Sequence, residues 1–421
     1  MKGSFTMSKQ HFRGPERYEC LKELDTIAMT MRRNGVCVDL TKLQEHRSKL
    51  TSRNKEIQDL LPDILLGSSG KTHNARDWFF KKKGIKPLGY TETGSPIFDG
   101  EVLTTLSKHE DTDISKTAKL VLEFTQNATL LSRYINGLPL TGNKIFPTWK
   151  VWGTITGRWA SSDPNFQNWP GEMLDMIIPR KEENHIVGAD YSQLELRIVA
   201  ILSEDIKLLN YYKNNDDVHT ITAKEVLFGL SNTQWAALTK AQQKQFRNVA
   251  KTMEYAFNYN ASEDVTTVWK TVVIDLPTVT IEQVKFMRKR WFQAHPWITR
   301  WQDSVLKKAN EEYYTEEILS GRREYFHNKI VEPNKALNFP VQGFGGELMN
   351  RAIKKIAKEL RMGEYLIAQI HDAAYLEGPD PIRLREILNK AMNQTISLEN
   401  GIVSFPIEVK YGKNMKDLKE F

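Results

Sequence analysis

Apolar residues are spaced along this chain so as to lay out its elements before any chemistry is considered. From Glu16 to about Leu60 the spacing of Leu21, Leu24, Ile27, Met29 and Met31, continued by Leu43 and Leu50, predicts two helices separated at Asn34-Gly35. After Ile64 turn residues dominate, at Gly67-Ser-Ser-Gly70 and from Gly84 to Pro96, with a basic cluster at Lys81-Lys82-Lys83. A helix is predicted from about Ser115 to Tyr134. Paired strands are predicted from Lys144 to Ile155, and a central strand at Ile186 to Ala189 with a helix starting near Gln193. Ser231 to Val273 holds no Gly or Pro and reads as helix, and Lys335 to Leu360 reads as one long helix. Leu366 to Ile370 and Ala374 to Glu377 form a predicted hairpin, and residues 1–15 read as a loose polar tail.

Two of the apolar runs each push one carboxylate off their end, Asp190 after Val187-Gly-Ala and Asp372 after Leu366-Ile-Ala-Gln-Ile-His371. Such a pair suits two-metal phosphoryl transfer, in which divalent ions roughly 3.5–4 Å apart activate a hydroxyl and hold a leaving oxygen. Taken singly, each Asp is as well explained by a turn or a helix cap. Between them Arg247, Lys251, Tyr255 and Tyr259 recur every four residues and share one slowly drifting helix face. Two cations followed by two aromatics describe a surface for a polyphosphate with a ring behind it; the alternatives are a solvated face and ordinary core aromatics.

The 421 residues can bury a large core and suggest two or three domains. Lys+Arg at 59 against Asp+Glu at 52 is a cationic excess compatible with a polyanionic partner. Cys20 and Cys37 fit no metal-binding spacing, which disfavours a disulfide framework or a structural zinc. No apolar run is long enough for a membrane span and residues 1–7 lack a signal-peptide core, so no membrane partner and a cytoplasmic location are expected.

The order of motifs resembles the polymerase region of family A DNA polymerases, the bacterial polymerase I class. Asp190-Tyr191-Ser192-Gln193-Leu194-Glu195-Leu-Arg197 is similar to the family's D-Y-S-Q-x-E-L-R, and Arg247 to Tyr259 to its R-x3-K-x3-[F/Y]-x3-Y. Thr156-Gly157-Arg158 through Asn165, Gln167, Asn168 and Pro170 matches T-G-R-x-S-S-x-x-P-N-x-Q-N-x-P, and His371-Asp372 the start of H-D-E. Asp217-Val-His219, Gly321-Arg322-Arg323 and Asn338-Phe-Pro-Val-Gln342-Gly343 follow the family's order, over residues 16 to 421.

The resemblance implies an α+β right-hand architecture with an antiparallel palm sheet, helical fingers and a helical thumb. Its expected division is 1–15 tail, 16–140 N-terminal helices and thumb, 141–203 palm, 204–333 fingers and 334–421 palm again. The implied function is primer-dependent, template-directed DNA synthesis from dNTPs with two Mg²⁺, or Mn²⁺ in their place, held by Asp190, Asp372 and the Tyr191 carbonyl. Lys251 joins the two aspartates as catalytic. The implied nucleotide contacts are Gln193, Glu195, His219, Arg247, Lys251, Tyr255 and Tyr259, with Glu195 excluding a 2′-hydroxyl. Arg158, Asn338, Gln342 and His371 are the implied DNA contacts, and the Lys81 cluster is either a phosphate contact of the thumb or a solvated charge run. A monomer without a proofreading domain on this chain is expected, in the cytoplasm of a bacterial or phage-infected cell; any proofreading or processivity factor would be a separate chain.

Some positions depart from the pattern. Ala373 stands where the motif has Glu, Ala256 and Asn260 where Gly is usual, and Leu174 and Asn334 at or near positions of common arginines. The alternative readings are a single-subunit RNA polymerase, against which Glu195 and the tyrosine register argue, a non-catalytic primer-template binding protein, and a two-metal nuclease, which would not need the nucleotide clamp.

Overall fold

The computed structural model describes residues 15–65, 73–214, 216–259, 264–398 and 401–421. Residues 1–14 of the expected tail, Gly67-Ser-Ser-Gly70 and Asn260 lie outside them. The chain opens with α1 (Pro15–Asn34), β1 (Val36–Val38) and α2 (Leu40–Leu60), so the predicted helix pair is present with a short buried strand between its members. Asp39 caps α2 by accepting from the Thr41 and Lys42 amides. Short helices at His73–Asp77 and Gly100–Leu106 lead to α3 (Thr112–Leu130), whose apolar face meets α2 over a separate small core around Ile57, Phe79, Val121 and Phe124. Burial of each such side chain contributes about 1.5–3 kcal/mol relative to exposure. The helix expected from Ser115 starts at Thr112 and widens into a π turn at Leu131–Asn136.

One expectation fails in the next segment. β2 (Lys144–Ile145) and β3 (Thr148–Lys150) do not pair with each other; β2 pairs with β1, which also receives β5 (Ile177–Ile178), and β3 pairs with β4 (Ala160–Ser162). Phe146-Pro147 separates them, and proline has no amide to give to a ladder.

The main sheet is antiparallel. Its central strand β6 (His185–Tyr191) is followed by α4 (Leu194–Ser203), as the apolar run predicts. Ile186, Val187, Gly188 and Ala189 are all buried, the pattern of a strand covered on both faces. Next come α5 (Ile206–Lys213), short helices at Val218–Ile221 and Asn232–Ala237, α6 (Lys240–Tyr259), α7 (Thr266–Asp275), α8 (Ile281–Ala294) and α9 (Pro296–Glu312). The Gly- and Pro-free stretch from Ser231 is therefore three helices, not one. A hairpin of β7 (Tyr314–Glu316) and β8 (Arg323–Tyr325) interrupts the helical run.

The helix α10 (Pro333–Glu359) spans the predicted range and continues through Pro340. Its glycines allow close approach: a Cβ on Gly343 would lie 2.8 Å from Glu317 Cγ, and one on Gly346 3.4 Å from the Gly157-Arg158 backbone. The hairpin β9 (Tyr365–Ile370) and β10 (Ala373–Gly378) follows as predicted, then α11 (Pro381–Met392), a second hairpin β11 (Gln394–Leu398) and β12 (Gly401–Phe405), β13 (Ile407–Gly412) and β14 (Lys419–Glu420). The sheet order is β14-β13-β6-β10-β9, which brings strands nearly 200 residues apart in sequence to either side of β6. α11 packs on β6, β10 and β13, and α4 packs against α10.

Candidate nucleic-acid and nucleotide site

The ends of β6 and of the β9–β10 hairpin open into one cleft of about 880 Å³. Asp190, Tyr191, Gln193, Glu195, His371 and Asp372 line its floor. Arg247, Lys251 and Tyr255 line it from α6, with His219 beside them, so eleven residues singled out in the sequence, Arg158 included, meet in one cavity. α6 turns Val249, Ala250, Met253, Glu254, Phe257 and Asn258 inward, and this fixed face leaves Arg247, Lys251 and Tyr255 toward the cleft, while Tyr259 does not line it and reaches it only through its hydrogen bond to Glu195.

The two aspartates feel each other. Enclosure by the cleft walls, then the like charges of Asp372 and Glu408, push the Asp190 carboxyl up to about 7, although its own surface opens to solvent. Burial raises Asp372 as well. Both flanking turns hold a non-glycine residue in the left-handed region, Gln193 at φ 52° and His371 at φ 54°. Strain of this kind persists where surrounding contacts enforce it. Here Arg197, itself buried, donates from Nε to the Ser192 carbonyl at 3.0 Å and stacks on Tyr212 at 4.1 Å, while the Ser192 amide donates to Pro406 O at 3.0 Å.

Several side chains carry partners that the sequence does not reveal. Glu195 accepts from Arg158 at 2.9 Å on one oxygen and from the Tyr259 hydroxyl at 2.7 Å on the other, tying α6 to α4. Arg158 is thus committed in part to Glu195. Burial, then the Glu195 charge, keeps the Tyr259 phenol protonated well above its ordinary range. Arg247 donates to Asp217 through Nε at 2.8 Å and a terminal nitrogen at 3.2 Å. His219 is buried and bonded through Nδ1 to buried Glu254. Lys251 is exposed, its ammonium 6.0 Å from the Tyr255 ring centre.

Gln342 lines an adjoining cavity with Arg158, His371, Asn165, Gln167 and Asn168. Asn338 lines neither cavity, and its Oδ1 is buried without a hydrogen-bond partner, so the two amides do not share one place as their spacing suggests. In the basic cluster Lys81 pairs with Asp77 at 2.8 Å and Lys83 with Asp113 at 2.5 Å. The sequence gives no sign of Glu408, which lines the main cleft; Asp217 and Arg197 stand inside recognised motifs and could have been found there.

The antiparallel sheet with helices packed around it defines the class of fold, and the family follows: the chain belongs to DNA polymerase family A, whose model matches residues 40–417. DNA polymerase I of Caldicellulosiruptor bescii is 27% identical over 94% of this chain and 47% of its own length. The thermostable DNA polymerase I of Thermus thermophilus is 27% identical over 99% and 50%, and DNA polymerase I of Geobacillus stearothermophilus 26% over 95% and 46%. The chain spans about half the length of these relatives. The POL domain of Pol1 from M. smegmatis, solved with DNA primer-template and dNTP, superposes with a TM-score of 0.79 at 21% identity, covering 94% of this chain and 70% of that one. The antiparallel sheet with helices around it is therefore the polymerase-domain fold. Among the described residues, no helix is long and apolar enough to cross a membrane.

Proposed function

We propose that this chain is a primer-dependent, template-directed DNA polymerase that adds dNTPs to a 3′-hydroxyl. One observation carries the reading: two strand-end carboxylates and the basic-aromatic stripe of α6 line one open cleft. Family membership and the likeness to a polymerase domain support it. The same reading divides the chain into N-terminal helices and thumb (16–140), palm (141–203 and 334–421) and fingers (204–333).

The donors present suit a hard divalent cation. Asp190 and Asp372 offer oxygens whose mutual repulsion a cation relieves. Among the described residues no three His, Cys, Asp or Glu side chains gather closely enough to hold a metal by themselves. That suits Mg²⁺, which keeps water and shares itself with substrate phosphates. Asp190 and Asp372, with the Tyr191 carbonyl, would hold two Mg²⁺, or Mn²⁺ in their place; the ions, when bound, supply a more acidic primer hydroxyl and neutralise charge on the departing pyrophosphate.

The remaining roles belong to the chain itself. Lys251 sets an exposed ammonium against the phosphates, and Arg247, already oriented by Asp217, offers the remainder of its planar fork. His219, held by Glu254, and Gln193 complete that wall. Tyr255 and Tyr259 back the incoming sugar and base. Glu195, held at both oxygens, fills the place of a 2′-hydroxyl. Arg158, Asn338, Gln342 and His371 border the primer end, where acceptors common to every correct pair in the minor groove test shape without reading sequence.

The test is extension of a labelled DNA primer on a DNA template with Mg²⁺, using dNTPs and rNTPs in parallel. Stepwise extension to the template end with dNTPs supports the reading. Equal use of rNTPs would point to an RNA polymerase, and binding without extension to a non-catalytic binder.

A further inference from the structure

We propose that Glu408 serves the cation site through the waters of the cation and not as a direct ligand, from the side of Asp190 opposite Ala373. This rests on the polymerase reading and adds a residue to it. In the sheet Asp190 has two direct cross-strand neighbours, Ala373 on β10 and Glu408 on β13. Residues directly opposite one another in antiparallel strands project to the same face, with Cβ atoms about 4.5–5.5 Å apart. Glu408 accordingly lines the cleft together with Asp190 and Asp372. Ala373, buried and bearing only a methyl group, offers no oxygen on its side.

Packing and stability give no reason for a glutamate at this position. Like charges directly opposite one another destabilise a sheet. Glu408 is 66% exposed, and its ion pair among the described residues is a solvated one with Lys410 at 3.7 Å, a type worth about 0–1 kcal/mol. A divalent cation held at Asp190 would offset this unfavourable pairing. The group recognised is a hydrated hard cation: a carboxylate at the edge accepts hydrogen bonds from its waters and supplies the charge that two aspartates leave unbalanced.

The test is Mn²⁺ titration of the full chain without DNA or nucleotide, read by the electron spin resonance of free Mn²⁺. The parent, Asp190→Asn and Glu408→Gln are compared, and thermal unfolding checks that each variant is folded. Glu408→Gln is expected to weaken Mn²⁺ binding on the order of tenfold and to raise the Mg²⁺ concentration for half-maximal primer extension to match. Mn²⁺ binding by Glu408→Gln equal to the parent's, while Asp190→Asn loses it, would overturn the role of Glu408 and leave the polymerase reading standing. A parent that neither binds Mn²⁺ nor extends primers would overturn both.

Discussion

Replacing Glu195 by alanine should admit ribonucleotides. Glu195 stands in the first turn of α4, 18% exposed, with one oxygen 2.9 Å from Arg158 and the other 2.7 Å from the Tyr259 hydroxyl. Held at both ends, the carboxylate cannot rotate aside for a 2′-hydroxyl, and the added atom must compress a packed site. Overpacking of that size costs about 1–3 kcal/mol, which is roughly 5- to 160-fold in rate. The assay is single-nucleotide insertion, with kcat/KM measured for a dNTP and its matching rNTP on one primer-template. Glu195→Ala should raise the ratio of rNTP to dNTP use by that factor. Glu195→Gln, which keeps the shape, should stay near the parent, and Tyr259→Phe, which frees one oxygen, should fall between. An alanine variant with the parent's ratio would refute the steric account.

Three further outcomes follow from the contacts. Arg247→Ala removes charged hydrogen-bond donors worth about 1.5–3 kcal/mol, so the KM for dNTP should rise by roughly tenfold or more with a smaller change in kcat; an unchanged KM contradicts its place at the phosphates. Glu317 is 1% exposed, and burial pushes its carboxyl up to about 7 against hydrogen bonds from the Leu319 and Ser320 amides and the Ser320 hydroxyl. Its folded value lies above the unfolded one, so its contribution is complete below pH of about 4.5 and is lost as pH rises through about 7. The stability of the parent relative to Glu317→Gln, from urea unfolding, should therefore fall by about 3 kcal/mol from pH 5 to pH 8.5; a constant difference contradicts this. Gly157 has φ 81°, and a Cβ there would overlap the Arg322 guanidinium, which stacks on Trp152 at 4.2 Å. Gly157→Ala should cost about 1–3 kcal/mol in urea unfolding, and parental stability would contradict the close approach.

The parts of the fold legible in the sequence are those fixed by local pattern. Asp190 and Asp372 are visible because largely apolar runs lead up to them, and α10 because its apolar spacing survives Pro340. The break before α6 was legible too, but in caps and not in glycine or proline. Thr239 and Gln242 exchange hydrogen bonds across the first turn, at 2.9 Å from the Thr239 amide and 3.2 Å from the Gln242 amide, and Ser231 and Gln234 do the same for the helix before it. Nonlocal pairing was not legible: nothing in Lys144–Lys150 tells that its two strands seek partners at Val36–Cys37 and Ala160–Ser162. Nor could spacing show that Arg158 is shared with Glu195, that His219 rests on Glu254, or that an exposed strand glutamate, Glu408, faces Asp190. Such pairings are set by register and by long-range packing, which a linear pattern does not encode.

The convergence of Asp190 and Asp372 on one cation site is tested most directly by single-turnover primer extension with Asp190→Asn and Asp372→Asn at saturating Mg²⁺, alongside fluorescence anisotropy of primer-template binding. Each substitution keeps the side chain's size and removes its charge. The account predicts a loss of extension on the order of a thousandfold in each variant, with DNA affinity close to the parent's. Extension at the parental rate by either variant would contradict it.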